Sequence, residues 1–342
     1  MGVNLSGLAE PRSVELEDLR GKKVAIDTYN IAYQFMSAIR QPDGHPLCDS
    51  KGRTTSHLSG LLYRTANLVE AGIEPVFVFD GRPHPLKAAT LKERSERRDR
   101  ATEEWREAIA EGDMETARRK AQQTSRMTKE VESSAKELIG YMGFPVVEAP
   151  SDGEQEAAYM CREGAVYAAA SQDFDSLLFG TPVLLRNLAL TGRRKMPGKE
   201  VYREIRTEVI DSGAFLAGLG ITREQLVDMC ILMGTDFNPG IRGIGPKKAL
   251  KLVRDGGSLE RILPRIGQEI PEYPEIRDIF LRYEGNDSYS TDYRPVEKDR
   301  AVEMLATYDF NPERVSGALD RIEKARMEQE TRRRQKSLDS WF

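Results

Sequence analysis

Residues 23–27 read KVAID, a short apolar run with two β-branched residues, closed by an aspartate. Three later stretches have the same character: PVFVFD at 75–80, FPVVEA at 144–149 and VYAAAS at 166–171. Each is short and apolar nearly throughout, the pattern of a strand buried on both faces. Helical patterns separate them, as in TSHLSGLLYRTANLVEAG at 55–72. This strand–helix alternation predicts an α/β fold with a mostly parallel central sheet and helices on both faces.

The chain has 342 residues, enough for one large domain or two ordinary ones. Hydrophobic residues make up 39% and charged residues 31%, so a real core lies beneath a heavily charged surface. Lys and Arg number 51 against 55 Asp and Glu, a net charge of −4. The total therefore does not announce a nucleic-acid binder, although local clustering of charge can make one. Three cysteines (Cys48, Cys161, Cys230) lie far apart, and with three histidines and no CxxC or HExxH pattern they argue against a zinc site. The thiols read as reduced, which predicts an intracellular protein. No apolar run approaches the roughly 20 residues that span a bilayer, so no membrane association is expected. No internal repeat is present.

Residues 86–138 break the rhythm. They have strong helix propensity, but their apolar residues are too sparse to make a buried face. EGD at 111–113 marks a break between two helices. The segment reads either as a solvated helical hairpin or as an arch projecting from the domain, and composition alone favours the hairpin. From about 223 the chain reads as helix (REQLVDMCILMG), loop (TDFNPGIRGIGP) and helix (KKALKLVRDGG) with a glycine stop. The last dozen residues are expected to be disordered when unbound.

Aspartates close the strands. Asp27 ends the first and Asp80 the second, while Asp173 and Asp175 follow VYAAAS in SQDFDS. In open α/β sheets the ligand crevice lies at the carboxyl ends of the strands, so these acids point to one place. Glu154 and Glu156 follow PVVEA, and Asp236 follows the helix ending at MG. Ser151 and Glu154 also fit a helix-capping box, which would give Glu154 a purely structural role. Seven carboxylates in one crevice need cations, or their pKa values must rise. Oxygen ligands without His or Cys suit Mg²⁺ or Mn²⁺, and a pair of such ions suits in-line phosphoryl chemistry. No GxxxxGK[ST] loop is present, so a nucleoside triphosphate is not the expected substrate.

Basic residues supply the other half of a phosphate site. Lys87 and Arg94 are seven apart, two helical turns on one face, and Arg98 extends the stripe. Glu93 and Glu96 alternatively make this an ordinary salt-bridged helix. GIRGIGPKKALKL at 240–252 places a glycine turn, with Gly243 and Gly245, before a basic helix carrying Lys247 and Lys248. Backbone N–H groups at such a turn can hold phosphate without reading sequence. A plain glycine-rich connection is the other reading. TGRRKMPGK at 191–199 is a second basic loop with the same ambiguity.

Together, VAIDTYNIAYQF, RQPDGHPL, PVFVFDGRPHPLK, SDGEQEAAYM, SQDFDSLLFG and GTDFNPGIRGIGPKKAL, in this order, closely resemble the flap endonucleases of the XPG-type structure-specific nuclease family. The resemblance covers essentially the whole chain. Gln155 stands between Glu154 and Glu156 where the family usually has a small residue, and Phe237 stands where Tyr is common. The resemblance implies a PIN-like nuclease core, with Asp27, Asp80, Glu154, Glu156, Asp173, Asp175 and Asp236 as ligands of two Mg²⁺ ions, replaceable by Mn²⁺. It implies that Lys87 and Arg94 contact the scissile phosphate, that Arg40 is a basic active-site residue, and that Tyr33 stacks on a base beside the cut. It makes 223–257 a helix–two-turn–helix element whose carbonyls near Gly240, Ile241 and Ile244 hold a K⁺ bridging to DNA. The implied division is a nuclease domain over 1–325, with an arch insertion at 84–135, and a flexible tail over 326–342. In that tail Gln335, Leu338, Trp341 and Phe342 match the motif that plugs into the sliding clamp, PCNA. The chain stops at the motif, which resembles the archaeal branch and implies a monomer in the cytoplasm, associated with the nucleoid. The implied activity is 5′-flap cleavage, with 5′–3′ exonuclease activity, in Okazaki-fragment processing and long-patch base-excision repair. The alternatives are another XPG-type nuclease (a 5′ exonuclease or a bubble-cutting enzyme), a non-catalytic clamp adaptor that binds DNA, and a metal-dependent phosphatase of small substrates.

Overall fold

The first predicted strand lies at the centre of the sheet. In the computed structural model, which describes residues 2–41, 44–189, 192–195 and 202–339, the chain begins with β1 (Arg12–Val14), β2 (Lys23–Asp27), β3 (Glu74–Phe79), β4 (Val146–Glu148) and β5 (Ala168–Ala170). After β6 (Val183–Arg186), β7 (Gly192–Lys195) and β8 (Tyr202–Ile205) make a separate antiparallel pair, and β9 (Thr207–Asp211) returns to the sheet. The order is β1-β9-β6-β5-β2-β3-β4. The run from β6 to β4 is parallel, and β9 and β1 add an antiparallel edge. The four strands expected from sequence are thus the adjacent parallel run β5-β2-β3-β4, but β4 is the sheet edge, with Glu148 exposed, and is not buried on both faces as expected.

The strands alternate as a doubly covered sheet requires. Val24, Ile26, Phe77 and Phe79 join one buried cluster, while Ala25, Val76 and Val78 join another. The first cluster packs against α1 (Thr28–Ala38) and α2 (Ser56–Glu70). Next in the chain come α3 (Ala88–Ala110) and α4 (Met114–Ala121), followed by α5 (Lys129–Tyr141), whose Ala135, Leu138 and Ile139 also pack in that cluster. On the other face, α6 (Gly153–Arg162) lays Ala157 and Met160 over β2 and β3. The short α7 (Asp175–Leu178), α8 (Ser212–Leu219), α9 (Arg223–Met233), α10 (Pro246–Gly256), α11 (Leu259–Ile266) and α12 (Tyr273–Leu281) enclose a third cluster around Leu178, Val227, Leu250 and Phe280. Finally α13 (Lys298–Ala306) and α14 (Pro312–Asp339) return to the first face through Leu305, Leu319 and Ile322. No helix among the described residues is long and apolar enough to cross a membrane.

Two expected boundaries are corrected. The insertion does not reach 135, because α5 starts at Lys129 and its Val131 and Ala135 are already buried. The hairpin proper is α3 and α4, broken at Gly112 (φ 76°) with Asp113 capping α4 through the Thr116 N–H. Its buried residues are alanines, Ala101, Ala108, Ala117 and Ala121, as its sparse apolar content requires. The tail does not separate at 326 either, since α14 runs unbroken to Asp339. Gln329 Nε2 donates to the Val69 carbonyl at 2.7 Å, and Arg333 pairs with Glu74 at the start of β3. These long polar side chains fasten a helix whose composition alone suggested fraying. Trp341 and Phe342 lie outside the described residues, as do the side chain of Leu338 and those of the 191–199 loop.

Candidate active site

Register sets the site. Asp27 lies opposite Val78, two residues before Asp80, and Ile26 lies opposite Ala170, so Ser171 starts level with Asp27. The carboxyl ends of β2, β3 and β5 therefore deliver Asp27, Asp80, Asp173 and Asp175 to one cleft. Asp27 also caps α1, accepting from the Asn30 N–H at 3.0 Å. Asp175 opens α7 and accepts from the Val3 N–H at 2.7 Å, so the amino-terminal segment reaches the site. Asp236 arrives on the turn after α9, where Gly234 and Gly240 pack so closely that a Cβ at Gly240 would stand 2.3 Å from the Gly234 nitrogen. The cleft is walled by α3, through Leu91, Arg94 and Arg98.

The structure corrects the glutamate pair. Residues two apart on a helix point about 200° away from each other. Glu154 faces the cleft, where its Oε1 accepts from the Ser171 hydroxyl at 3.3 Å and its buried Oε2 has no partner. Glu156 turns to the opposite side, fully buried, accepting from the Tyr283 hydroxyl at 2.8 Å and the Asn286 N–H at 3.2 Å. It ties the loop after α12 to α6 and does not line the cleft. The acid that does is Asp152, which the sequence reading missed. The small residue between the two acids is then Gly153, not Gln155. Its N–H donates to Asp80 Oδ1 at 2.7 Å, and a Cβ there would stand 3.0 Å from the same oxygen. The proposed Ser151–Glu154 capping box does not form, because Asp152 is the N-cap residue and the Ser151 hydroxyl is unpartnered.

Cations face the acids from the base of the hairpin. Lys87 Nζ lies 2.7 Å from Asp152 Oδ2 and 3.7 Å from Asp236 Oδ2. Arg94 pairs with the other Asp236 oxygen, and Thr90 Oγ1 donates to the Asp236 carbonyl at 2.8 Å. These bonds pin the start of α3 to the site. The Lys87 ammonium also stands 5.1 Å from the centroid of the Phe237 ring. Tyr33 lines the cleft, with the Arg98 guanidinium 5.1 Å from its centroid and its hydroxyl accepting from the Met127 N–H at 3.2 Å.

Arg40 is not in this cleft. It lies beyond the far end of α1, whose 11 residues carry the chain roughly 16 Å from Asp27. There Arg40 donates to the Gly44 carbonyl at 2.9 Å and to Ser125 Oγ at 2.8 Å, in a separate depression with Arg53 and Tyr308. Burial lowers its pKa to about 10. Lys247 and Lys248 are exposed on the first turn of α10, whose N-terminus carries no side-chain cap, next to Gly243 (φ 82°) and Gly245.

The electrostatics are those of crowded, buried acids. Burial, and then Asp152, push Asp80 up to about 6 against the opposing Gly153 N–H. Burial, and then Asp236 and Asp173, push Asp175 up to about 7. Asp27 and Glu154 are raised well above the ordinary carboxylate range, by burial first and then by Asp80 and Asp173 respectively. Burial would lower Lys87, but Asp152 and Asp236 outweigh it and hold the ammonium above its usual value. Lys87 is therefore a cation and not a proton donor near neutrality.

The residues fit a hard divalent cation. The donors are all oxygen, no His or Cys lines the cleft, and Glu154 Oε2 is buried without a partner. Among the described residues no three acids converge to ligate one ion directly.

Residues 1–101 match the family model described as the XPG N-terminal domain, and residues 143–236 match that of the XPG I-region. The chain is 49% identical over 350 residues to flap endonuclease 1 of Aeropyrum pernix, covering all of both. It is 48% identical over 343 residues to flap endonuclease 1 of Archaeoglobus fulgidus, again covering all of both. The solved structure of flap endonuclease-1 from Methanococcus jannaschii matches with a TM-score of 0.76 at 38% identity, over 95% of this chain and 98% of that one. The catalytic core of Rad2 in complex with DNA substrate matches with a TM-score of 0.68 at 23% identity, over 91% of this chain and 96% of that one, a likeness of fold.

Proposed function

The chain belongs to the flap endonuclease family of XPG-type nucleases, in its archaeal-type branch, and we propose that its acid-lined cleft hydrolyses the phosphodiester at the base of a 5′ DNA flap. The observation that carries this reading is the meeting of seven acids, Asp27, Asp80, Asp152, Glu154, Asp173, Asp175 and Asp236, with Lys87 and Arg94 across one cleft. Asp152 replaces Glu156 in the set first expected. These carboxylates would hold two Mg²⁺ ions, or Mn²⁺ in their place, which when bound would lower the pKa of a coordinated water and place positive charge against the phosphate.

The protein's own groups do the rest. Asp152 and Asp236 hold Lys87 and Arg94 in position, and the two cations can exchange those carboxylates for phosphate oxygens when a strand enters. Donors preorganised in this way act where charge develops in the transition state. Tyr33 and the apolar Leu91 offer surfaces on which a base can stack beside the cut. The N-terminus of α10, with Lys247 and Lys248, grips the duplex by its backbone, and the carbonyls near Gly240, Ile241 and Ile244 would hold a K⁺ that adds positive charge for the DNA backbone. Arg40, bonded to the Gly44 carbonyl and Ser125 in its own depression, does not serve the chemistry of the cleft. The nuclease body takes in the docked α14, and Gln335, Leu338, Trp341 and Phe342 recruit the sliding clamp, PCNA. The enzyme works as a cytoplasmic monomer in Okazaki-fragment processing and long-patch base-excision repair, with 5′–3′ exonuclease activity on nicks.

The test compares end-labelled flap, bubble and nicked duplex over a Mg²⁺ titration. We expect the flap to be cut fastest, near its junction, and no cleavage in EDTA. Faster cutting of the bubble, or cleavage independent of metal, would overturn the reading. With the cognate clamp added, Trp341→Ala with Phe342→Ala should abolish stimulation while basal cleavage persists.

A further inference from the structure

A carboxamide stands between two of the acid-bearing elements. Asn30, in the first turn of α1, donates its backbone N–H to Asp27 Oδ1 at 3.0 Å. Its side-chain oxygen accepts from the Gln172 N–H at 3.2 Å and from Gln34 Nε2 at 2.6 Å. Its side-chain nitrogen donates to Asp173 Oδ2 at 3.3 Å. The orientation of the amide is fixed by this set. A backbone N–H can only donate, so the oxygen must face Gln172 and the NH₂ must face Asp173.

Asp173 needs such a partner. It sits on the turn after β5, with its N–H bound to Ser171 Oγ at 3.2 Å, and it shares the cleft with Asp27, Glu154 and Asp175. A carboxylate crowded by other acids keeps its orientation only where a donor holds it. Asn30 supplies it from the same helical turn that Asp27 caps, so one residue ties the end of β2 to the turn after β5. Gln34, one turn further along α1, braces the amide and also lines the cleft.

We infer that Asn30 is a positioning residue that holds the Asp173 carboxylate in register with Asp27 for the divalent cation, and that Gln34 is its brace. The inference rests on reading the cleft as a cation site. Groups that orient a metal ligand typically change metal affinity or activity by about 10–100-fold.

The experiment uses the full chain and Mn²⁺ as the probe. Mn²⁺ binding to the DNA-free protein is measured by electron paramagnetic resonance, alongside flap affinity in EDTA and the Mg²⁺ dependence of single-turnover cleavage. Asn30→Ala should weaken Mn²⁺ binding by about 10–100-fold, with flap affinity in EDTA unchanged and cleavage largely recovered at high Mg²⁺. Gln34→Ala should shift the same quantities in the same direction by less, and it carries the test if Asn30→Ala does not fold. Undiminished Mn²⁺ affinity in a folded variant overturns the inference. So does lost flap affinity with unaltered metal dependence, which would make Asn30 a DNA contact. A wild-type protein that binds no Mn²⁺ refutes the cation site itself.

Discussion

Replacing Asp175 by asparagine should make the cation-free protein more stable while it destroys the nuclease. The residue is 7% exposed, and burial together with Asp236 and Asp173 raises its carboxyl from an ordinary 3.8 to about 7. A group whose folded pKa is raised favours the folded state at low pH and opposes it once both forms are ionised. The opposition is nearly absent below about pH 4 and complete above about pH 7. At about 1.4 kcal/mol per pH unit, the ceiling is about 4 kcal/mol. Asp236 is already paired with Lys87 and Arg94, so part of its repulsion is cancelled and the recoverable gain is about 1–3 kcal/mol. Asparagine removes the charge yet keeps an oxygen for the Val3 N–H. The assay is urea unfolding in EDTA near pH 8 and again near pH 4.5, for wild type and Asp175→Asn. We predict a stabilisation near pH 8 that mostly disappears near pH 4.5. Added Mg²⁺ should stabilise the wild type more than the variant, because binding to the folded state raises its stability by mass action. An equal increment at both pH values, or a variant no more stable than wild type near pH 8, would refute the electrostatic reasoning.

Lys87→Ala and Arg94→Ala should each slow single-turnover cleavage by about 10²–10³ with a small change in flap affinity; equal losses in both quantities would mark them as ground-state DNA contacts, and no loss in either as ion pairs without a role in cleavage. Asp152→Asn should raise the Mg²⁺ needed for half-maximal cleavage, whereas Glu156→Gln should leave it unchanged and lower the thermal midpoint by loosening the Tyr283 loop. The opposite ranking would return Glu156 to the cleft. Lys247→Ala with Lys248→Ala should weaken flap and plain duplex alike and lower the slope of affinity against salt by roughly 0.9 per lost phosphate contact; an unchanged slope would show that α10 faces away from DNA.

The sequence by itself determined the sheet and most of the acids. Short β-branched or aromatic runs suit buried parallel strands, and a residue that closes such a strand must sit at the sheet's carboxyl edge. Asp27, Asp80, Asp173 and Asp175 follow from that rule alone. The break at 111–113 and the glycine stop after α10 were equally local, set by the backbone freedom of glycine. The glutamate pair was legible in principle, since helical phase separates Glu154 from Glu156, but only once the helix is known to begin at Gly153. What only the tertiary structure decided are contacts between residues far apart in the chain. Asp152 became a site residue because Lys87 lies 2.7 Å away. Arg40 left the site because α1 carries it outward. The charged α14 became a docked helix through Val69 and Glu74. Val3 reached Asp175 across 172 positions with no local signal at all. Propensity and periodicity are properties of near neighbours, whereas the packing of α3, α6 and α14 on the sheet decides which charges meet.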